Sequence, residues 1–318
     1  MAAAGYKVRE FCKDDDFDYF DRLAWEEHER RNIHVGIRKS GEFPFDKMKL
    51  VKRETYFNNE DSSMAKESKG FVLMTDVGEF AGFATVTVSP SGNGTITQFG
   101  HPDQNRRELG PLIDACLEYV RQRRGNKLFC MTEILPGQIY NAEFEFWSRY
   151  AFKPESYYSQ WLIFNDFKQW NVPADLDISN VLTASSLDLT EIESILREDG
   201  EDFIAESVRF DFAELTPDHV FLKLIDPFDG KIKGIAYYQV NRDQGMLGTN
   251  TLGIHIRSQI SYQEIQRFVR CVLTSMNELN LSYAGTRMSS RNLSAMIAMC
   301  AEGFTLAPMG QVVFYRPV

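Results

Sequence analysis

The stretch Leu109-Gly110-Pro111-Leu112-Ile113-Asp114-Ala115-Cys116-Leu117-Glu118-Tyr119-Val120 carries apolar residues at 109, 112, 113, 116, 117 and 120, the spacing of a helix with one buried stripe. The same spacing returns 156 residues later in Ile265, Phe268, Val269, Val272, Leu273 and Met276. One amphipathic helix says little about a fold. Two of them, each with the same neighbours in the same order, mark an internal repeat.

Upstream of each helix lies a strand that begins with glycine, Gly94-Thr95-Ile96-Thr97-Gln98-Phe99 and Gly248-Thr249-Asn250-Thr251-Leu252-Gly253-Ile254, 154 residues apart. Before each strand comes a hairpin with turn chemistry at its centre, Asp76-Val77-Gly78 in one half and Asp226-Pro227-Phe228-Asp229-Gly230 in the other. Gly82 and Gly234, on the return strands, are 152 apart. A helix beginning after Asp14 to Asp16, with Phe17, Phe20, Leu23 and Ala24 on one face, precedes the first hairpin. Another, beginning near Asp188 or Thr190 with Ile192, Ile195 and Leu196, precedes the second.

Downstream, Lys127 to Thr132 and Leu281 to Thr286 read as strands, each followed by a second helix and a closing strand, Ser159 to Phe164 and Gly310 to Tyr315. Strand, helices, hairpin, strand, helix, strand, helix, strand predicts an α/β fold with a mixed sheet, mostly antiparallel with a central parallel step, and helices on both faces. The expected organisation is one such domain over 1–165, a linker over 166–177 containing Pro173, and a second copy over 178–318.

Composition agrees. At roughly 100 to 200 residues per domain, 318 residues suit two domains, and a 43% hydrophobic content supplies a core for each. The formal charge of −10 argues against a nucleic-acid partner, although Arg121, Arg123, Arg124 and Lys127 form a local basic group. No apolar run approaches the roughly 18 residues of a membrane span, and the N-terminal residues lack the pattern of a leader. Five scattered cysteines without a Cys-x-x-Cys pair read as reduced core residues, with no metal site and no disulfide framework. These features predict a cytoplasmic protein. Neither a Ser-His-Asp or Cys-His arrangement nor a phosphate-binding Gly-x-x-x-x-Gly-Lys-Ser/Thr loop is present.

The most specific stretch is Asn292-Leu293-Ser294-Ala295-Met296-Ile297-Ala298-Met299-Cys300-Ala301-Glu302-Gly303-Phe304, which fits the pattern Asn-x-x-Ala-x-x-Leu-Tyr-x-x-x-Gly-Phe. A shorter version, Asn141 to Phe152, stands 151 residues earlier. With the glycine-flanked strands entering loops at helix N-termini, this order resembles the GNAT acyltransferase superfamily over nearly the whole chain, as two copies.

The resemblance implies transfer of an acyl group from acetyl-CoA or another acyl-CoA to the amine of a small molecule, by a protein acting as a monomer or homodimer. The closing stretch Gln311 to Arg316 is similar to the ending of family members that acetylate amino sugars. In such proteins the loop Arg/Gln-x-x-Gly-x-Gly/Ala wraps the pyrophosphate with backbone amides at a helix N-terminus. Here the resemblance leads to Arg106, Arg107 and Gly110 in the first half and to Gln259 and Ser261 in the second. It places the cofactor beside the strand residues Phe99, Ile254 and Ile256, and the pantetheine arm against Asn141 and Asn292.

Departures from the pattern point the other way. Trp147 and Met299 stand where a proton-donating tyrosine is expected, and the second loop has no glycine. Ser261-Tyr262-Gln263-Glu264 equally fits a capping box, with the serine on the amide of 264 and the glutamate on the amide of 261. Asn292 equally fits a helix N-cap. The base candidates are Glu133, just past the first half's fifth strand, and His255, beside the second half's fourth. The alternative function is a non-catalytic binding or interaction protein with decayed cofactor loops.

Overall fold

A computed structural model describes residues 5–34, 49–57, 67–89, 91–102, 109–135, 142–164, 167, 169–213, 215–240 and 248–318. They form two compact units, one made of residues 1–155 with 312–318 and the other of residues 156–311. In chain order the elements are β1 (Tyr6–Glu10), α1 (Phe17–His34), α2 (Glu54–Phe57), β2 (Glu67–Thr75), β3 (Phe80–Val88), β4 (Gly94–Gly100), α3 (Gly110–Gln122), β5 (Lys127–Ile134), α4 (Ala142–Arg149) and β6 (Lys153–Phe164). They continue with β7 (Val181–Thr183), α5 (Leu189–Glu198), α6 (Asp202–Ala213), β8 (His219–Ile225), β9 (Ile232–Gln239), β10 (Gly248–Ile256), α7 (Tyr262–Glu278), β11 (Tyr283–Ser289), α8 (Leu293–Ala301) and β12 (Thr305–Pro317).

In the first unit β1, β2, β3 and β4 pair antiparallel in sequence order, and β5 joins β4 in parallel. The β2–β3 hairpin turns at Gly78, whose φ of +83° suits a residue without a Cβ. Val72 and Phe83 pack with Phe17, Phe20 and Leu23 of α1, whereas Phe71, on the opposite face of β2, meets Tyr119 of α3. Helices therefore cover both faces.

The second unit repeats the plan. β7, β8, β9 and β10 are antiparallel neighbours, and β11 joins β10 in parallel. Ala236 and Tyr238 of β9 belong to the core under α7 and α8, and Ile235 to the core under α5 and α6. The expected stripe of α7 is fully used: Ile265, Phe268, Val269, Val272, Leu273 and Met276 are all buried, each worth about 2 kcal/mol of apolar burial.

The closing strands depart from the expected division. Ser159–Phe164 of β6 pairs antiparallel with β11 and so completes the second unit. The chain end, residues 312–318, belongs to the first unit. There Phe314 packs edge-on against Phe144, Arg316 donates to the Tyr150 carbonyl at 3.2 Å, and the Val318 amide to the Asn126 carbonyl at 3.0 Å. The two closing strands carry interchangeable apolar patterns, so nothing local dictates which sheet each joins.

Both second helices end alike. α8 stops in a Schellman turn with Gly303 at φ +110°, as its sequence predicts. α4 ends in the same turn with Ala151 at φ +60°, a left-handed conformation forced on an L-residue. All five cysteines are free, and Cys12 and Cys300 are exposed, which corrects the reading of the whole set as core. Among the described residues no helix is long and apolar enough to cross a membrane.

Candidate active site

Each unit opens its sheet at the parallel step. In the first, β4 and β5 are in register only at Gly94 with Leu128 and Thr95 with Phe129, although the strands run on to Gly100 and Ile134. In the second, β10 and β11 are in register as far as Leu252 with Thr286, through an irregularity after Thr249, and run on to Ile256 and Ser289. Past these points the facing edges of each strand pair lack a partner in the ladder. This notch is where a ligand can meet backbone groups.

No family model and no curated sequence matches the chain. Solved structures do. A GCN5-related N-acetyltransferase from Sphaerobacter thermophilus superposes with a TM-score of 0.53 at 12% identity, covering 98% of this chain and 95% of that one. A tandem GNAT protein from the clavulanic acid biosynthesis pathway gives 0.54 at 12% identity over 98% of both chains. The fold is a tandem GNAT fold. A GCN5-related glucosamine N-acetyltransferase region of a fungal multi-domain GH3 β-N-acetylglucosaminidase gives 0.57 at 12% identity, covering 99% of this chain and 38% of that one. At such identities the likeness concerns the fold alone.

Side chains of the protein bind one another at the notch of the second unit, although Glu201 Oε1 is buried without a partner. α5 ends in a Schellman turn whose left-handed residue is Gly200, φ +77°. The turn therefore delivers both flanking carboxylates, Asp199 and Glu201, into the interior, where both are buried. Asp199 Oδ2 lies 3.0 Å from His255 Nδ1 on β10 and accepts from the Asn292 amide at 2.9 Å. The same amide donates at 2.7 Å to the carbonyl of Ile254, one of the strand groups expected to meet a cofactor. Arg287 of β11 donates to Glu201 and to Gln311, each at 3.1 Å.

His255 sits within β10 rather than beside it and is 2% exposed. Its Nδ1 faces the Asp199 carboxylate, and Nε2 lies 3.5 Å from the Tyr237 hydroxyl. Ile256 is buried and pairs with Gly234 of β9. Asn292 occupies the N-cap position of α8 without using its side chain there.

At α7 half of the predicted capping box forms. Ser261 Oγ accepts from the Glu264 amide at 3.3 Å, but the Glu264 carboxylate turns to Lys233 at 3.3 Å and Arg267 at 3.9 Å. The acid still stands in the first turn, where it opposes a phosphate. Gln259 is exposed in the turn before it.

The first unit differs at each of these places. The N-cap residue of α3 is Leu109, which has no side chain able to cap, and the first turn holds Pro111 and no acid. Gly110 is the first helical residue; a Cβ there would meet only Tyr150 Cε1 at 3.8 Å, so the protein's own atoms do not demand glycine. Arg106, Arg107 and Asn141 lie outside the described residues. Within the expected basic group, Arg121 pairs with Glu118 and Arg123 with Glu67 at the surface.

Arg31 of α1 enters the notch of the first unit, a residue the sequence reading missed. Its guanidinium carbon lies 5.2 Å from the ring centroid of Phe99 on β4, and its Nη1 donates to the Met131 carbonyl on β5 at 3.4 Å. It is 9% exposed, and its Nε has no hydrogen-bond partner. Burial lowers its pKa, but Glu133, Glu27 and Glu143 raise it, and the net shift is upward, so the charge persists. Arg30 donates to Glu27 at 3.0 Å and lies 3.8 Å from Glu143.

Phe99 is buried and packs against Trp147 with centroids 5.5 Å apart. Trp147 is 0% exposed, and its Nε1–H has no partner. Thr132 Oγ1 and Glu133 Oε2, on β5 beyond its last residue in register with β4, are also buried and unpartnered. Glu133 lies inside β5. Burial pushes the Cys116 and Cys130 thiols well up, and Cys271 in the second unit to about 11, which disfavours the thiolate at each.

A sequence signal for Arg31 does exist. Phe20, Leu23, Ala24, Glu27 and Arg31 follow one helical stripe, so two charged residues continue a buried face.

Proposed function

We propose that the protein is an acyl-CoA-dependent N-acyltransferase whose working site is the notch of the first unit, the second unit being a GNAT-like domain closed on itself. One observation carries this reading. Of the six buried side-chain polar atoms without partners among the described residues, four lie around β4 and β5, Arg31 Nε, Thr132 Oγ1, Glu133 Oε2 and Trp147 Nε1, against two in the second unit, Trp161 Nε1 and Glu201 Oε1. A buried unpaired polar group costs about 1–3 kcal/mol, and folded proteins leave few of them. A bound thioester and amine would satisfy them.

The first turn of α3 holds no acid to oppose a pyrophosphate, its Leu109 amide donating to the Tyr150 hydroxyl at 3.1 Å, and Arg106 and Arg107 precede it in sequence. Glu133 takes the first proton from the acceptor ammonium. The freed amine nitrogen then bonds to the acyl carbon as the carbon–sulfur bond breaks, and the second amine proton leaves with the sulfur as free thiol. The Trp147 N–H supports the developing thiolate by a hydrogen bond without transferring its proton. Acyl-CoA supplies the activated acyl group, read here as acetyl. The acceptor is a small-molecule amine, amino sugars being one class the closing stretch resembles. The free thiols suit the reducing cytoplasm.

Calorimetric titration of the full chain with acetyl-CoA tests the proposal. One equivalent should bind, with Arg107→Ala weakening it about tenfold, as loss of a phosphate contact does, and Gln259→Ala leaving it unchanged. Absence of heat and of a thermal shift would favour the non-catalytic alternative, whose support is the missing tyrosine in both copies. Two equivalents would contradict closure of the second unit.

A further inference from the structure

The notch of the first unit contains a buried charge that packing alone does not explain. Arg31 continues the stripe of Phe20, Leu23 and Ala24 on α1, where an apolar side chain would avoid the cost of taking a charge out of water. Its guanidinium stays charged, since the carboxylates around it outweigh the effect of burial. A Glu27 oxygen 3.9 Å away, one turn back on the same helix, steadies it.

What the guanidinium touches supplies a reason for its place. Its carbon lies over the ring of Phe99 on β4, 5.2 Å from the centroid, and Nη1 donates to the Met131 carbonyl on β5 at 3.4 Å. Phe99 lies beyond Thr95, and Met131 beyond Phe129, the last pair of the two strands in register. One planar group thus reaches both strands just past the place where their ladder stops. A guanidinium can rest on a ring and bond a carbonyl at once; a compact ammonium suits one of the two. The second unit serves as the control. Its α5 and α6 keep their arginines, Arg197 and Arg209, at the surface in pairs with Asp202 and Glu193, and there the ladder runs on to Leu252 with Thr286. Thr286 answers to Thr132, which the first ladder does not reach. Strand edges that face each other gain by pairing, so an open notch needs something to hold it.

We propose that Arg31 is a spacer whose guanidinium, resting on Phe99 and bonded to Met131, holds β4 and β5 apart and keeps the notch of the first unit open for a ligand. It is a positioning residue, acting on the strands and taking no part in the chemistry. Its bearing on cofactor affinity rests on the acyl-transfer reading above; its bearing on the strands does not.

Amide hydrogen exchange of the full chain, read amide by amide over residues 96–100 and 130–134, tests this in two variants. Arg31→Lys keeps the charge beside Glu27, and Arg31→Met keeps the bulk. With the spacer gone the ladder should extend, and the amides turned toward the notch should exchange about tenfold more slowly, the effect of one added backbone hydrogen bond. An arginine that only stabilised the fold would give the opposite sign, faster exchange throughout the first unit. Acetyl-CoA affinity should fall about tenfold in the same variants, because a notch that is mostly closed has to reopen before it fills. Unchanged or faster exchange at these residues in both variants overturns the proposal. So does failure of both to fold in a thermal melt, since a spacer can be lost without losing the core. Slower exchange with acetyl-CoA affinity unchanged overturns the claim that the open notch serves the cofactor. A wild-type chain that binds no acetyl-CoA sinks the acyl-transfer reading, and the exchange result still decides the spacer.

Discussion

Thr132 and Thr286 occupy the same place in the two copies, 154 residues apart and both fully buried just past or at the end of the parallel step, yet only Thr286 has a partner, the Leu252 carbonyl. The next residue repeats the contrast: Glu133 keeps an orphan oxygen, whereas Arg287 is bound by Glu201 and Gln311. The helix N-termini differ as well, α7 capped by Ser261 and carrying Glu264, α3 with no acid in its first turn and the Tyr150 hydroxyl accepting from its Leu109 amide. One sheet plan thus exists in two electrostatic states. The second unit pairs most of its notch groups with one another, leaving Trp161 Nε1 and one oxygen of Glu201 buried without partners, whereas the first leaves four such atoms around β4 and β5. A fold that needs only its core can close its notch, because internal partners stabilise it. Leaving four polar atoms orphaned makes physical sense where a ligand completes them.

The comparison breaks most visibly when the chain is cut. Because β6 completes the second unit and residues 312–318 the first, a fragment of residues 156–311 should unfold cooperatively on its own. A fragment of residues 178–318, cut where the sequence suggests, should show no cooperative transition, having lost the strand beside β11. Removing residues 312–318 should unfold the first unit, since Phe314 is fully buried. Circular dichroism melts of the three decide it. A stable 178–318 fragment would restore the sequence-based boundary.

Next in size is Asp199→Ala, which strips His255 and Asn292 of the carboxylate they share. Breaking a buried charged network in this way costs about 3 kcal/mol, measurable by urea unfolding, while affinity for acetyl-CoA should hold. A fall in cofactor affinity with little loss of stability would mean that the second notch is a working site, reversing the roles of the units.

Much of this was legible in the sequence, and the failures have physical causes. The repeat could be read because apolar spacing is a local signal, and α3 and α7 bury the stripes their residues announce. Strand membership could not, because pairing is non-local and β6 and β12 offer the same alternation to either sheet. Asp199-Gly200-Glu201 reads as a helix end with solvated acids; only the left-handed turn at Gly200 sends both carboxylates inward. Arg31 hides in Glu26-Glu27-His28-Glu29-Arg30-Arg31, which looks like an exposed charged face unless it is aligned with Phe20 and Leu23. His255 and Asn292 were found as residues but not as partners, since Asp199 comes from an element 56 positions away from His255 and 93 from Asn292.

The smallest effect gives the finest comparison, because it asks the same chemical question of both units. Replacing threonine by valine removes a hydroxyl at nearly constant volume. In Thr286→Val the Leu252 carbonyl loses its donor, and stability should fall by about 1 kcal/mol, the net worth of a hydrogen bond. In Thr132→Val no bond is lost and an unsatisfied buried hydroxyl disappears, so stability should hold or rise by about 1 kcal/mol. The ligand should reverse this. If Thr132 serves the notch, saturating acetyl-CoA and acceptor will stabilise the wild type more than Thr132→Val, and the valine chain will lose its advantage in thermal shift. Equal and opposite responses of the two variants without ligand, converging with it, would establish the notch of the first unit as the one built to be filled. Two equal losses without ligand would mean that Thr132 has a partner after all, and the contrast between the units would shrink to their helix N-termini.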